Sequence, residues 1–289
     1  MKRNTTLLKR LSATALALAL AVSLAACAGG NSAETPEDVL KKAQESMADI
    51  KSMRYDMNMD IEMTVQEQAF PMTTTMQADY IVDPLSMKMD MTMDMGELGS
   101  ISTTSYMVTE NGTSTMYNGT QGQDGATVWA KQELADLSSL QQYDAKASFD
   151  LYLSCAESFT KNGTETISGK ETTRYDGVIS KDAMDKVLQT SGMLDQMDKL
   201  GLDSDVSAML SDLADLPISI WVTNDTYVPM KYEMDMTTMM QNMMSKMMAA
   251  DPETANIGLE MNKVFLSMTL SGINDVDAIQ VPAEALAAK

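Results

Sequence analysis

Residues 53–65 read MRYDMNMDIEMTV, and their alternation decides the fold. Met53, Tyr55, Met57, Met59, Ile61, Met63 and Val65 occupy one set of alternate positions, and Arg54, Asp56, Asn58, Asp60, Glu62 and Thr64 occupy the other. Successive side chains of a strand point to opposite faces of the sheet, so this stretch is a strand with one apolar and one polar face. The same pattern returns after the turn signal Asp83-Pro84, where Met87, Met89, Met91, Met93 and Met95 alternate with Lys88, Asp90, Thr92 and Asp94.

Working outward, further short strands are expected over 101–109, 113–117 and 127–131, with Asn111-Gly112 and Asn118-Gly119 as tight turns between them. Upstream, Thr35-Pro36-Glu37-Asp38 opens a helix with a threonine cap, proline at the first helical position and acids in the first turn. Residues 134–140 and 149–159 read as helices, 164–167 and 172–179 as a hairpin around Ser168-Gly169, and 181–213 as helix with breaks near Gly192 and Gly201. The pattern then returns to strands at 218–223, 228–236 and 259–270, with a helical period over 238–249. Low-complexity linkers are absent after residue 35, so 36–289 is expected to be a single domain. Helices grouped apart from antiparallel strands place it in the α+β class.

The first 26 residues read as an export signal. Lys2, Arg3, Lys9 and Arg10 make a positive start, residues 11–22 are Ala/Leu-rich, and Leu24-Ala25-Ala26-Cys27 has the form of a lipobox. Cys27 is therefore expected to carry acyl chains such as palmitate, with residues 27–35 as lipidated cysteine and flexible tether. Two or more acyl chains make a durable anchor, which puts the protein on the extracytoplasmic side of the cell membrane. Acylation of Cys27 leaves Cys155 without a disulfide partner, so it is expected to be a buried apolar residue.

Composition excludes much chemistry. With no histidine, Ser-His-Asp and Cys-His catalysis, His-bearing zinc sites and imidazole switches are out. A net charge of −20, without a basic cluster, argues against nucleic acid. Ser158-Phe159-Thr160-Lys161 matches S-x-x-K, but no K-[ST]-G accompanies it. Asp203-Ser204-Asp205 lacks the glycine and distal glutamate of a calcium loop. No motif marks a catalytic group or a resident cofactor, and the expectation is a protein that is not an enzyme.

The lipobox followed by TPEDVLKKAQESMADIKSMRYDMNMDIEM, then YIVDPLSMKMDMTM, TVWAK and the closing INDVDAIQVPAEALAA resemble the LolA/LppX-like lipoproteins, especially their Gram-positive relatives. The resemblance implies a curved antiparallel sheet, an incomplete β-barrel, with helices covering the concave face. It also implies that acyl chains or glycolipids are held between sheet and helices.

The 30 methionines are the unusual feature. Thioether side chains are flexible and polarizable, so a surface paved with them repacks around ligands of variable shape. Met57, Met59, Met63, Met87, Met89, Met91, Met93, Met234 and Met236, with Trp129 and Trp221, are the expected lining of a site for a lipid or other hydrophobic ligand. Two alternatives stand beside this. The methionines could simply fill the core of a structural or interaction lipoprotein. Alternatively, the pairs Met239-Met240, Met243-Met244 and Met247-Met248 could bind Cu(I), which favours soft sulfur ligands.

Overall fold

The computed structural model describes residues 34–110, 112–122, 125–134, 151–181, 183, 214–250 and 258–288. The expected signal segment, Cys27, the expected tether up to residue 33, the Asp203 motif and nearly all of the expected 181–213 helix lie outside them. Residues Pro36–Lys289 form one compact unit.

That unit is built on one antiparallel sheet of β1 (Ser52–Val65), β2 (Gln68–Ile81), β3 (Ser86–Asp94), β4 (Ser100–Glu110), β5 (Thr113–Gln121), β6 (Thr127–Leu134), β7 (Ala156–Ile167), β8 (Lys170–Ile179), β9 (Leu216–Thr223), β10 (Pro229–Asp235) and β11 (Leu259–Ser271). Its spatial order is β6-β5-β4-β3-β2-β1-β11-β10-β9-β8-β7. Each strand pairs with its sequence neighbours except that β6 and β7 do not meet, and β11 pairs with β1 as well as with β10. Strands β6 and β7 remain the two edges, so the sheet is an incomplete barrel, accompanied by a few helices as the α+β expectation required.

The turns follow local backbone chemistry. Gln66 and Glu67 both have positive φ, 50° and 67°, as do Ser168 (48°) and Gly169 (76°). A two-residue link with left-handed angles twists in the sense that antiparallel strands need. Strand β2 is an addition to the sequence reading, which named no element between residue 65 and the Asp83-Pro84 turn. It pairs with β1 from Ser52↔Ile81 to Val65↔Gln68.

Other elements correct their expected limits. Strand β5 runs through Asn118-Gly119, which is not a turn; chain reversal comes later, where Gly122 N–H donates to the Ala126 carbonyl. Gly119 stays in the strand because the Trp129 ring and the Thr127 methyl occupy its side-chain space, within 2.8 Å of where a Cβ would sit. Of the expected helix 149–159, residues 149–150 lie outside the described residues and 151–155 are helical, whereas from Ala156 the chain pairs with β8 as edge strand β7. Leu134, expected to begin a helix, ends β6, and the remainder of 134–140 lies outside the described residues.

Helix α1 (Pro36–Met47) starts with a proline whose missing N–H costs nothing there, followed by Glu37 and Asp38 beside the positive helix end. It buries Val39, Leu40, Ala43 and Met47 in the main core. Ser46 Oγ donates to the Tyr227 carbonyl at 3.1 Å, and Lys42 Nζ lies 4.5 Å from the Tyr227 ring centre, fastening α1 to the β9–β10 turn.

Helix α2 (Thr237–Ala250) solves an edge problem. Strand β10 ends at Asp235, opposite Phe265, so among the described residues the N-terminal half of β11 has no strand beside it on that side. Unpaired ladder groups are costly when shielded from water and invite mispairing when they are not. The start of α2 takes the place of the missing strand. Met236 N–H donates to the Val264 carbonyl at 2.8 Å, Thr237 Oγ1 accepts from Val264 N–H at 3.0 Å, and Gln241 Nε2 donates to the Met261 carbonyl at 2.7 Å. Thr237 and Gln241 are spaced i and i+4, on one face of the helix.

Short helix α3 (Ala283–Leu286) contacts β5 and β6. The chain leading to it leaves β11 beside Ser52, whose carbonyl accepts from Asn274 N–H at 2.8 Å and whose Oγ accepts from Val276 N–H at 3.3 Å.

Candidate functional site

The main core lies on one face of the sheet, here the inner face, and strand register assembles its side chains into rows. Nearest α1, Met53 stands beside Tyr80, Met87 and Met107. The next row runs Leu270, Tyr55, Ala78, Met89. Then come Tyr232, Met268, Met57, Met76 and Met91, followed by Met234, Leu266, Met59, Thr74 and Met93. Beyond these lie Val264, Ile61 and Met72, and past a bulge Met261, Met63 and Phe70. From Tyr55 to Met63 this wall is roughly 27 Å long at about 3.4 Å per residue.

Burial along the wall is graded. Met53 and Met87 are 1% exposed and Met89 is 9% exposed, beneath the side where α1 adds Met47. Met57, Met59, Met63, Met72, Met91 and Met93 are only half-buried. Met234 is buried and Met236 half-buried beside them. One end of the wall is thus a filled core, and toward the other the side chains keep part of their apolar surface accessible.

All nine expected methionines fall on or beside this wall. Both tryptophans fall elsewhere. Trp221 shares its side of β9 with Ser219, opposite to Ile220 and Val222, and packs with Ile167 and Met230 in a separate small cluster. Arg174 and Lys231 lie 5.0 and 4.5 Å from its ring centre. Trp129 lies over Gly119, with the Tyr106 ring centre 5.9 Å away and Lys131 on the same side of its strand. The parity of their polar neighbours, Ser219 and Thr223 for Trp221 and Lys131 for Trp129, already carried this information. Sequence reasoning missed Met72, Met76, Met261 and Met268 on the wall because their strand or their register had not been assigned.

Polar groups within the core are sparse. Tyr232 O–H points at Met268 Sδ at 2.7 Å, and its ring meets Tyr152 edge-on at 6.0 Å. Burial, with smaller contributions from Tyr152 and Tyr55, holds the Tyr232 hydroxyl well above its ordinary pKa, so it stays protonated. Cys155 is buried in the same cluster, as expected.

The opposite face is polar. Arg54 pairs with Asp79 at 2.6 Å and Arg174 with Asp176 at 2.6 Å. Desolvation pushes the Asp176 carboxyl up, but hydrogen bonds from Asn162, Arg174 and Ser219 and the Arg174 charge outweigh it and hold the group below its ordinary range.

Among the described residues, clefts flank the sheet at two places. One of about 200 Å³ lies between α1 and β7, lined by Glu37, Leu40, Lys41, Gln44, Leu153, Ala156, Ser158 and Phe159. Ser158, with φ of 55°, and Lys161 belong to a bulged edge strand rather than to a helix that would set them on one face. The other, about 390 Å³, lies where β2 begins, against the 3-10 turn Gly96–Leu98. On α2, Met239 is buried and Met240, Met243, Met244 and Met248 are half-buried. Among the described residues no three His, Cys, Asp or Glu side chains cluster in a way that could hold a metal ion.

The chain belongs to the family of unknown function DUF6612, which it matches over residues 35–289. No curated protein matches it. Among solved structures it is similar to lipoprotein LppX from Mycobacterium tuberculosis, with 13% identity and TM-score 0.43 over 85% of this chain and 100% of that one. It is also similar to LprF from Mycobacterium bovis, with 12% identity and TM-score 0.46 over 86% and 96% of the respective chains. A putative outer membrane lipoprotein-sorting protein domain from Vibrio parahaemolyticus has 10% identity and TM-score 0.24 over 80% and 89%.

Proposed function

We propose that this DUF6612 member is a non-catalytic lipoprotein, anchored through acylated Cys27 on the extracytoplasmic side of the cell membrane, that holds a lipid or similar hydrophobic ligand against the methionine wall. The observation that carries the reading is the half-buried stretch formed by Met57, Met59, Ile61, Met63, Met72, Met91 and Met93. Contiguous apolar surface of this kind is costly to leave in water and is common where a ligand or partner completes it. Methionine suits a ligand of variable chain length, because its unbranched thioether adapts where Leu or Ile would impose a shape.

The filled end of the wall, at Met53, Met87 and Met107, is what favours the second reading, an interaction lipoprotein with a solid core. Native mass spectrometry of the protein from its own membrane separates the two. Co-purified lipid is expected, and Met91→Asp, at a half-buried position, should lose it while the protein stays folded. A wild-type protein that carries no hydrophobic ligand under these conditions sinks the carrier reading.

A further inference from the structure

The methionine wall does not stop at the end of the sheet. Its last rows run into the cleft of about 390 Å³ lined by Gln68, Ala69, Phe70, Pro71, Met95, Gly96, Glu97 and Leu98. Phe70 pairs with Met63 of the wall, and Met95 continues the parity of Met91 and Met93. At the rim, Leu98 is 73% exposed and Ile101, paired with Met93, is 49% exposed. Apolar side chains here are therefore not scattered singly; they continue an apolar track from the half-buried wall outward into solvent.

We infer that this end of the sheet is a membrane-docking mouth, in which Leu98 and Ile101 enter the surface of a bilayer of zwitterionic lipid and the cleft passes an acyl chain between bilayer and wall. Burying these side chains in the acyl boundary removes apolar area from water. Charge selects the lipid. Glu67, Asp94 and Glu97 are all exposed at this end, Glu62 being offset by Lys263 at 3.9 Å, and carboxylates repel anionic headgroups while tolerating neutral or zwitterionic ones. This inference rests on the proposed ligand-holding role for its second half, while docking itself does not depend on it.

The test uses the full-length protein, purified from its own membrane and reconstituted into phosphatidylcholine vesicles whose chains are brominated at known depth. Trp129 and Trp221 lie on the other face of the sheet and set the wild-type background. Leu98→Trp should add emission that the bromolipid quenches at least twofold, and replacing a third of the lipid with phosphatidylglycerol should weaken that quenching. In the same vesicles, Leu98→Asp should slow exchange of a fluorescent fatty acid at least tenfold with unchanged capacity at equilibrium. Unquenched Leu98→Trp emission together with an unaltered exchange rate overturns the docking mouth and leaves the wall as a binding site. Quenching in a protein that takes up no fatty acid keeps the docking surface and removes the ligand-holding role.

Discussion

Strand β3 offers a graded test of the wall, because four methionines stand at alternate positions on one strand and differ mainly in how far they are covered. Met87 is 1% exposed and Met89 9%, whereas Met91 and Met93 are half-buried. Truncation of a fully buried methionine to alanine costs about 2–5 kcal/mol, the sum of lost transfer energy and the cavity left behind. Met91 and Met93 keep part of their surface in water, so only part of the transfer term is at stake and water fills some of the space, and the cost falls to about 1–3 kcal/mol. Met87→Ala should therefore destabilise by about 1–2 kcal/mol more than Met93→Ala, with Met89→Ala and Met91→Ala between them. In urea, with a slope of about 2–3 kcal/mol/M for a domain of this size, the gap between Met87→Ala and Met93→Ala is roughly 0.5 M in midpoint. Unfolding followed by circular dichroism, with the slope checked for constancy, measures it. Equal midpoint shifts at all four positions would show a wall uniformly packed from end to end, and the division into a core and an open apolar surface would be wrong.

Thr237→Val keeps the shape of the side chain but removes the acceptor for Val264 N–H, so α2 should loosen from the β11 edge. The expected loss is about 1–3 kcal/mol, the penalty for a shielded unpaired donor; hydrogen exchange localises it, and unaltered protection at Val264 contradicts the edge-capping role. Acid should act through Asp176, whose depressed folded-state pKa means its contribution is present above the unfolded value and is lost as pH falls through the folded one. Asp176→Asn should thus be less stable than wild type at neutral pH, with the difference shrinking below about pH 4; a difference that stays constant from pH 7 to 3 argues against a charged Asp176–Arg174 pair.

Strands β1 and β3 were legible in the sequence because a half-buried strand must alternate, and their methionines and acids do so without interruption. Strand β2 was not, since Thr73-Thr74-Thr75 and Pro71 blur its period; it exists because β1 and β3 supply ladder partners along both of its edges. Asn118-Gly119 has the composition of a turn and yet is strand, as the ring of Trp129, eleven and ten positions later in the chain, fills the space above Gly119. The segment from Ala156 likewise left its expected helix to pair with β8.

From the sequence alone came the α+β class, the alternation that separates a methionine face from a carboxylate face, and the exclusion of histidine chemistry. These are properties of neighbours along the chain, and chirality and the pleat translate them directly into structure. Tertiary structure alone decided that β11 closes onto β1 and that the wall is filled at Met87 but more open at Met93. Coverage depends on which distant helix or turn lies above a residue, and no local period records that.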